Sequence, residues 1–176
     1  AFGENYVHEA LAKIDALTNL RPSIEWHLIG PLQSNKTREV AAAFDWVHSV
    51  ERLKIAQRLS AQRSPGRPPL QVCLQVNVSG EASKSGVAPA DVLPLARAVS
   101  ALPNLRLRGL MSIPEPVAGI AAQRAPHCAL REMLDALRAG GLALDTLSMG
   151  MSDDLEAAIA EGATIVRVGT AIFGAR

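Results

Sequence analysis

Aromatic residues are scarce in this sequence, and no segment carries a block of like charge. Phenylalanine, tryptophan and tyrosine make up 3% of the 176 residues, and the formal net charge is +1 at pH 7. Proteins that bind single-stranded nucleic acid stack bases on aromatic rings, and those that bind a duplex need clustered lysine and arginine. We therefore expect no nucleic-acid partner.

Cysteine and long apolar runs are also scarce. The two cysteines, Cys73 and Cys128, lie far apart, and neither shows metal-ligand spacing with the four scattered histidines. No apolar run approaches the roughly 20 residues that a membrane span needs, and no secretory leader is visible. The sequence therefore predicts no metal site, no disulfide and no membrane contact, and we expect a cytoplasmic location.

What the sequence does contain is a regular alternation of short strand patterns and helical patterns. Strands that alternate with helices form parallel sheets of the α/β class. No G-x-G-x-x-G motif follows any strand, which disfavours an open dinucleotide-binding sheet and favours a (β/α)8 barrel of the TIM type. The predicted strands are 1–4, 24–30, 45–50, 70–78, 105–113, 144–150 and 164–169. The predicted helices are 6–17, 36–44, 51–62, 89–101, 126–139 and 152–162.

The opening segment is typical of the end of a strand rather than of its start. The seven predicted strand segments and one further strand upstream would make the eight strands of a closed barrel. We therefore expect a single barrel domain over residues 1–176, with the first strand and helix missing at the N-terminus.

The stretch SMGMSDD (148–154) follows a predicted strand and opens a helix. In barrels of this kind the loops after the last two strands often form a phosphate site with a helix N-terminus. Gly150 permits close backbone approach, and Ser152 offers a hydroxyl there. The alternative interpretation is a simple helix cap by Ser152 or Asp153, with Asp153 and Glu156 forming a capping box.

The stretch RVGT (167–170) supplies a second set of polar groups at the end of the last predicted strand. Arg167 and Gly169 share one face of that strand, Gly169 leaves room for a ligand, and Thr170 adds a hydroxyl. The alternative for Arg167 is a strand-end arginine that reaches solvent or pairs with a carboxylate. Near the start of the chain, Asn5 is suited to orienting a ligand at the barrel mouth.

Two histidines and two tryptophans are interpreted as parts of the fold rather than of a site. We interpret His27 and His48 as hydrogen-bonded structural histidines rather than as ligands or bases. Trp26 and Trp46 are interpreted as core residues.

Six motifs together resemble one family over essentially the whole chain, in order. The family is the pyridoxal 5′-phosphate homeostasis proteins, single-domain relatives of the alanine racemase N-terminal barrel. The resemblance implies a barrel that binds pyridoxal phosphate at the strand C-termini and has no established catalytic turnover. The motifs are FGENYV, WHLIGPLQSNK, NVSGEASKSG, LRGLMSIP, LSMGMSDDLEAAI and VRVGTAIFGAR.

The resemblance also implies a role for each candidate residue. Ser152, Gly169 and Thr170 would hold the phosphate, Arg167 would face the pyridine nitrogen, and Asn5 would lie beside the ring. Ser148 is a weaker phosphate candidate. The arginine would keep the pyridine nitrogen unprotonated, because a guanidinium only donates hydrogen bonds.

One departure from the family pattern concerns lysine. The family's Schiff-base lysine lies on a first strand upstream of FGENY, and none of the four lysines here, at positions 13, 36, 54 and 84, occupies that position. We therefore expect weak binding through phosphate and ring contacts alone, without a covalent link, in a chain that is a monomer with exposed sheet edges.

Two other functions stay open. An enzyme of the alanine-racemase type is disfavoured, because the family's second-domain tyrosine has no counterpart and Tyr6 is the only tyrosine in the sequence. A degenerate fragment that binds no cofactor is the other alternative. No residue is assigned a catalytic role, and a shared fold does not by itself carry an activity.

Overall fold

The computed structural model describes residues 1–80 and 85–174. Residues 81–84 of the NVSGEASKSG motif, Lys84 among them, and the last two residues of the chain lie outside the described residues. Within the described part, six parallel strands form one sheet in sequential order, with helices between successive strands. The strands are β1 (Phe2–Glu4), β2 (Trp26–Leu28), β3 (Trp46–Val50), β4 (Leu70–Gln75), β5 (Leu105–Met111) and β6 (Thr146–Ser148).

Helices follow each strand on the outside of the sheet. This repeated strand-helix order, with every neighbouring pair parallel, is the arrangement of a TIM-type barrel, so the predicted fold class is confirmed. Every described helix falls short of the length or the apolar character that a membrane span requires. The helices are α1 (Val7–Ala16), α2 (Thr37–Ala43), α3 (Leu53–Gln62), α4 (Val92–Ser100), α5 (Ile120–Ala139), α6 (Leu155–Ala160) and α7 (Thr170–Phe173).

The predicted seventh strand, 164–169, is wrong as a strand. Only Ile165 forms a β-bridge, to Ser148, and the Arg167 amide then donates to the carbonyl of Gly150 at 2.9 Å. Gly150 has φ +92°, a conformation that turns the chain out of the regular ladder at this point. The segment therefore runs beside the end of β6 as an irregular extension of the sheet.

The start of the long helix α5 also differs from the prediction. The sequence pattern places its start at Pro126, a residue favoured in the first turn, but the helix begins at Ile120 and contains Pro126 in its interior. An interior proline removes one helical hydrogen bond, and the buried apolar face of α5 offsets that loss. The buried residues of that face include Leu130, Leu134 and Leu137.

The sheet separates two sets of buried side chains. On β4, Leu70, Val72 and Leu74 are fully buried in the large core between sheet and helices. Cys73, pointing the other way, packs in a smaller cluster with Trp46 and Met111 on the inner side of the sheet. This alternation leaves the inner side with polar as well as apolar residues, which is where the candidate site is found.

The central strand supplies a test of the outer core. Replacing the fully buried Leu74 with alanine removes apolar contacts and leaves a cavity, so we expect the free energy of unfolding to fall by about 2–5 kcal/mol. Urea denaturation measures the change. Leu93→Ala is the matched control, since Leu93 on α4 is 40% exposed and should cost less than about 1 kcal/mol. Equal losses in the two variants would contradict this description of the core.

Candidate functional site

The candidate site lies where the inner sides of β5 and β6 end. Arg167 reaches this point from the irregular segment beside β6. Its Nη1 donates to the carbonyl oxygen of Ser148 at 2.8 Å and to the Ser148 hydroxyl at 2.9 Å, and its Nη2 donates to the carbonyl oxygen of Ser112 at 2.8 Å. The side chain therefore points inward and binds backbone carbonyls, not the solvent or the carboxylate of the alternative interpretation.

The described residues bind the guanidinium of Arg167 through its two Nη groups and not through Nε. Both Nη groups have partners, whereas the buried Nε–H donor has none among the described residues. Burial lowers the pKa of Arg167 to about 10, so the side chain stays a cation at neutral pH. A buried donor without a partner costs free energy, and a ligand that carries an acceptor would remove that cost.

Behind Arg167 the Ser148 hydroxyl continues into a pair of buried histidines. Ser148 Oγ lies 2.7 Å from Nδ1 of His48, and Nε2 of His48 lies 2.9 Å from Nδ1 of His27. Burial lowers the pKa of His48 to about 3 and that of His27 to about 4, so both imidazoles are neutral near pH 7. Both are hydrogen-bonded inside the fold, as the structural interpretation expects, while Nε2 of His27 has no hydrogen-bond partner among the described residues.

Ser148 itself is placed differently from the weaker expectation. Its side chain is fully buried and its hydroxyl already contacts His48 and Arg167, so it supports the arginine rather than facing a phosphate. The contributions of Ser112 and His48 to the site were missed by sequence reasoning. The strand alternation that puts His48 on the inner face of β3 is the signal that could have suggested its position.

The residues expected to hold a phosphate do come together. The Thr170 hydroxyl donates to the Ser152 hydroxyl at 3.1 Å, although the two residues are 18 positions apart. Gly169 precedes α7 directly, and among the described residues no heavy atom beyond its chain neighbours lies within 4 Å of where a Cβ on it would stand. Two hydroxyls and an unobstructed stretch of backbone therefore share one exposed surface beside Arg167.

The loop that carries Ser152 is shaped by Asp154. One oxygen of its carboxylate accepts from the Met151 amide at 2.6 Å, and the other lies 2.9 Å from Nε2 of the buried His127 on α5. The alternative interpretation, a helix cap by Ser152 or Asp153 with a capping box to Glu156, is wrong, because α6 begins at Leu155 and its N-cap residue is Asp154. The carboxylate of Asp154 is thereby turned toward α5.

Gly150 adds a second constraint on this loop. A Cβ at this position would lie 2.5 Å from the Cβ of Ala158, and its φ of +92° suits glycine alone. The close approach expected of Gly150 is thus an approach to helix α6.

Asn5 lies apart from the other four candidates. It follows β1, at the other edge of the described sheet, and it is exposed. Its carbonyl oxygen packs against Gly30, where a Cβ would stand only 2.0 Å away. Within residues 1–80 and 85–174, no hydrogen bond joins Asn5 to Ser152, Arg167, Gly169 or Thr170, so its role beside a ligand stays a prediction.

A cavity of about 400 Å³ lies at the opposite end of the strands. Its wall includes Asp45 and Gln71, which stand at the N-terminal ends of β3 and β4, together with Arg21 and Arg108. The two arginines already bind Asp45 and Asp145, respectively, at 2.8 and 2.6 Å. In barrels the N-terminal face contributes stability rather than ligand binding, so we place the candidate site at the other end.

In the part of the chain that the structure describes, no three His, Cys, Asp or Glu side chains are grouped as metal ligands. Cys73 and Cys128 are free thiols.

The strand order places the molecule in the class of TIM-type barrels, with a cluster of polar side chains at the carboxyl ends of the strands. Three comparisons narrow this class. The family model for the alanine racemase N-terminal domain matches residues 1–176. The pyridoxal phosphate homeostasis protein of Pseudomonas aeruginosa is 69% identical over 175 residues, which cover 99% of this chain and 74% of that protein. The homologue of the same name from Vibrio cholerae is 58% identical over 177 residues, covering 99% and 75%.

Solved structures agree with the sequence relatives. PipY of Synechococcus elongatus, solved with PLP bound, superposes with a TM-score of 0.88 at 43% identity, over 98% of this chain and 81% of that one. Alanine racemase of Corynebacterium glutamicum superposes with a TM-score of 0.71 at 18% identity, over 100% of this chain and 48% of that one, which shows a shared fold. The chain belongs to the alanine racemase N-terminal domain family, among the pyridoxal phosphate homeostasis proteins.

The buried histidine pair predicts an acid-sensitive fold. The unfolded chain binds protons at its histidines below a pKa of about 6.5, whereas the folded chain keeps His27 and His48 neutral down to about pH 4. The free energy of unfolding should therefore be fully present above pH 6.5 and fall as the pH drops from 6.5 to 4, on the order of 1 kcal/mol per pH unit for each histidine.

Urea denaturation at a series of pH values measures this slope. The double variant His27→Asn, His48→Asn should flatten it. Cys73→Ala is the control, since it removes a neighbouring buried side chain whose pKa burial raises to about 12, outside this range. An unchanged slope in the double variant would show that other groups cause the acid sensitivity.

Proposed function

We propose that this chain binds pyridoxal 5′-phosphate at the carboxyl ends of its strands and takes part in the homeostasis of that cofactor without catalysing a reaction on it. The observation that carries the proposal is the buried Nε–H of Arg167, which has no partner among the described residues. A pyridine nitrogen is an acceptor of the kind that this donor lacks. The PLP-bound PipY structure supports the choice of ligand.

The other groups at the site suit the remaining parts of the same molecule. Ser152 and Thr170 offer hydroxyls to a phosphate, and the open backbone at Gly169 permits close approach. Both oxygens of the Asp154 carboxylate already have partners, the Met151 amide and Nε2 of His127. We assign Ser152, Gly169 and Thr170 to the phosphate, Arg167 to the ring nitrogen, and Asn5 to the edge of the ring.

A role without turnover agrees with the chemistry of the arginine. Bound pyridoxal phosphate supplies an aldehyde and a pyridine ring that acts as an electron sink when its nitrogen is protonated. Arg167 can only donate, so it keeps that nitrogen unprotonated and the sink weak. Membership of the homeostasis proteins supports the same role. A single domain over residues 1–176, the monomeric state and the cytoplasmic location stay predictions that accompany this proposal.

The arginine gives the first test. Arg167→Gln should leave the fold intact, because the site lies at the strand ends, and should weaken pyridoxal phosphate binding by about tenfold to a hundredfold, the range expected for a lost charged hydrogen bond. Calorimetry gives the affinity, and the absorption spectrum of the bound cofactor should shift. Arg106→Gln removes an exposed arginine on the same sheet and serves as control. Equal binding in the two variants would contradict the assignment.

A second test concerns covalent attachment and turnover. We expect the chain to bind the cofactor through phosphate and ring contacts, so borohydride reduction followed by peptide mapping should find no modified lysine at 13, 36, 54 or 84. A mapped lysine would overturn this part of the proposal. Inversion of amino acids in a racemase assay would instead favour an enzyme, and absence of any cofactor binding would favour a degenerate fragment.

A further inference from the structure

We propose that His48 is a positioning residue for Arg167. Acting through the Ser148 hydroxyl, it holds the guanidinium so that Nε faces the ring of a bound pyridine ligand. The inference rests on the proposed function for its ligand, but its geometry belongs to the protein alone.

Two strands that are distant in sequence meet at this contact. His48 lies in β3 and Ser148 ends β6, 100 residues later, and both side chains are fully buried. The 2.7 Å contact between them spans the inner side of the sheet. The same hydroxyl lies 2.9 Å from Nη1 of Arg167. A change in the orientation of the Ser148 hydroxyl therefore alters its hydrogen bond with Nη1 of Arg167.

The directions of these hydrogen bonds follow from what each group can do. A guanidinium only donates, so Ser148 Oγ accepts from Arg167 and has its own hydrogen to give. Nδ1 of His48 is the acceptor at 2.7 Å that takes it. This assigns the proton of the neutral His48 to Nε2, which donates to Nδ1 of His27 at 2.9 Å.

At the far end of this chain of hydrogen bonds, His27 then carries its proton on Nε2. That atom has no hydrogen-bond partner among the described residues, and the negative charge of the Glu25 carboxylate lies 3.9 Å away, which favours a proton there. The His27 ring is stacked on Trp46 with 5.2 Å between centroids, which restricts its rotation. One set of tautomers thus satisfies the contacts from Arg167 to His27, and hydrogen bonds aligned in one direction strengthen one another.

A side chain of the same volume that lacks a hydrogen-bond acceptor would not orient the Ser148 hydroxyl. If His48 served only to occupy the inner side of the sheet, a leucine could replace it, because buried polar pairs are often no more stabilising than apolar ones. Without an acceptor at Nδ1 the Ser148 hydroxyl is free to rotate, and Nη1 keeps only the Ser148 carbonyl as a fixed partner. The arginine would then be less well aligned toward a ligand.

The test compares pyridoxal phosphate with benzyl phosphate, which carries a phosphate on a ring without nitrogen. His48→Leu and Ser148→Ala should each reduce the preference for pyridoxal phosphate by about tenfold, with benzyl phosphate affinity unchanged within about twofold. His48→Asn, whose amide oxygen can accept from Ser148, should retain most of the preference. Cys73→Ala, a buried neighbour outside this chain of bonds, is the control.

The outcomes separate this inference from the proposed function. Equal weakening of both ligands, or a preference unchanged in His48→Leu, would overturn the positioning role while leaving cofactor binding in place. A wild-type chain that binds neither ligand would overturn the proposed function.

Nitrogen NMR of the wild-type chain without ligand decides the geometry in every case and needs no variant. We expect His48 to carry its proton on Nε2 alone, and the two Nη groups of Arg167 to give separate signals because rotation is restricted. A proton on Nδ1 of His48, or averaged Nη signals, would overturn the inference.

Discussion

The site depends on one interaction, the binding of the Arg167 guanidinium by carbonyl oxygens at the ends of β5 and β6. A buried cation is costly unless its donors are met, and here the carbonyls of Ser112 and Ser148 meet both Nη groups. Those carbonyls keep their places because parallel strands are locked in register by their neighbours. The direction of the Nε–H, which has no partner among the described residues, is therefore set by the backbone of the sheet together with the Ser148 hydroxyl.

The side of the site that we propose for the phosphate is built in a different way. Ser152 and Thr170 lie on loops, and what holds them is a set of local constraints rather than the sheet. Asp154 binds the Met151 amide and the buried His127, and Gly150 packs against Ala158. Arg167 is thus held by the sheet, whereas Ser152 and Thr170 are held by loops.

Part of this arrangement was predictable and part was not. Alternating strand and helix patterns predicted the six strands that the structure describes, since hydrophobic periodicity reports which face of an element is buried. The prediction failed for 164–169 as a regular strand, because this segment pairs with the end of β6 only up to Gly150, whose positive φ interrupts the ladder. It failed again at Asp153, because a capping pattern cannot tell which of two adjacent aspartates begins the helix.

The sequence by itself determined the fold class, the family and which residues are candidates, because these depend on local patterns and motif order. Only the tertiary structure decided what each candidate contacts. That Ser148 contacts Arg167, that His48 contacts Ser148, and that Asp154 contacts His127 depend on residues distant in the chain. Such contacts are set by how strands align in the sheet, which no local pattern contains.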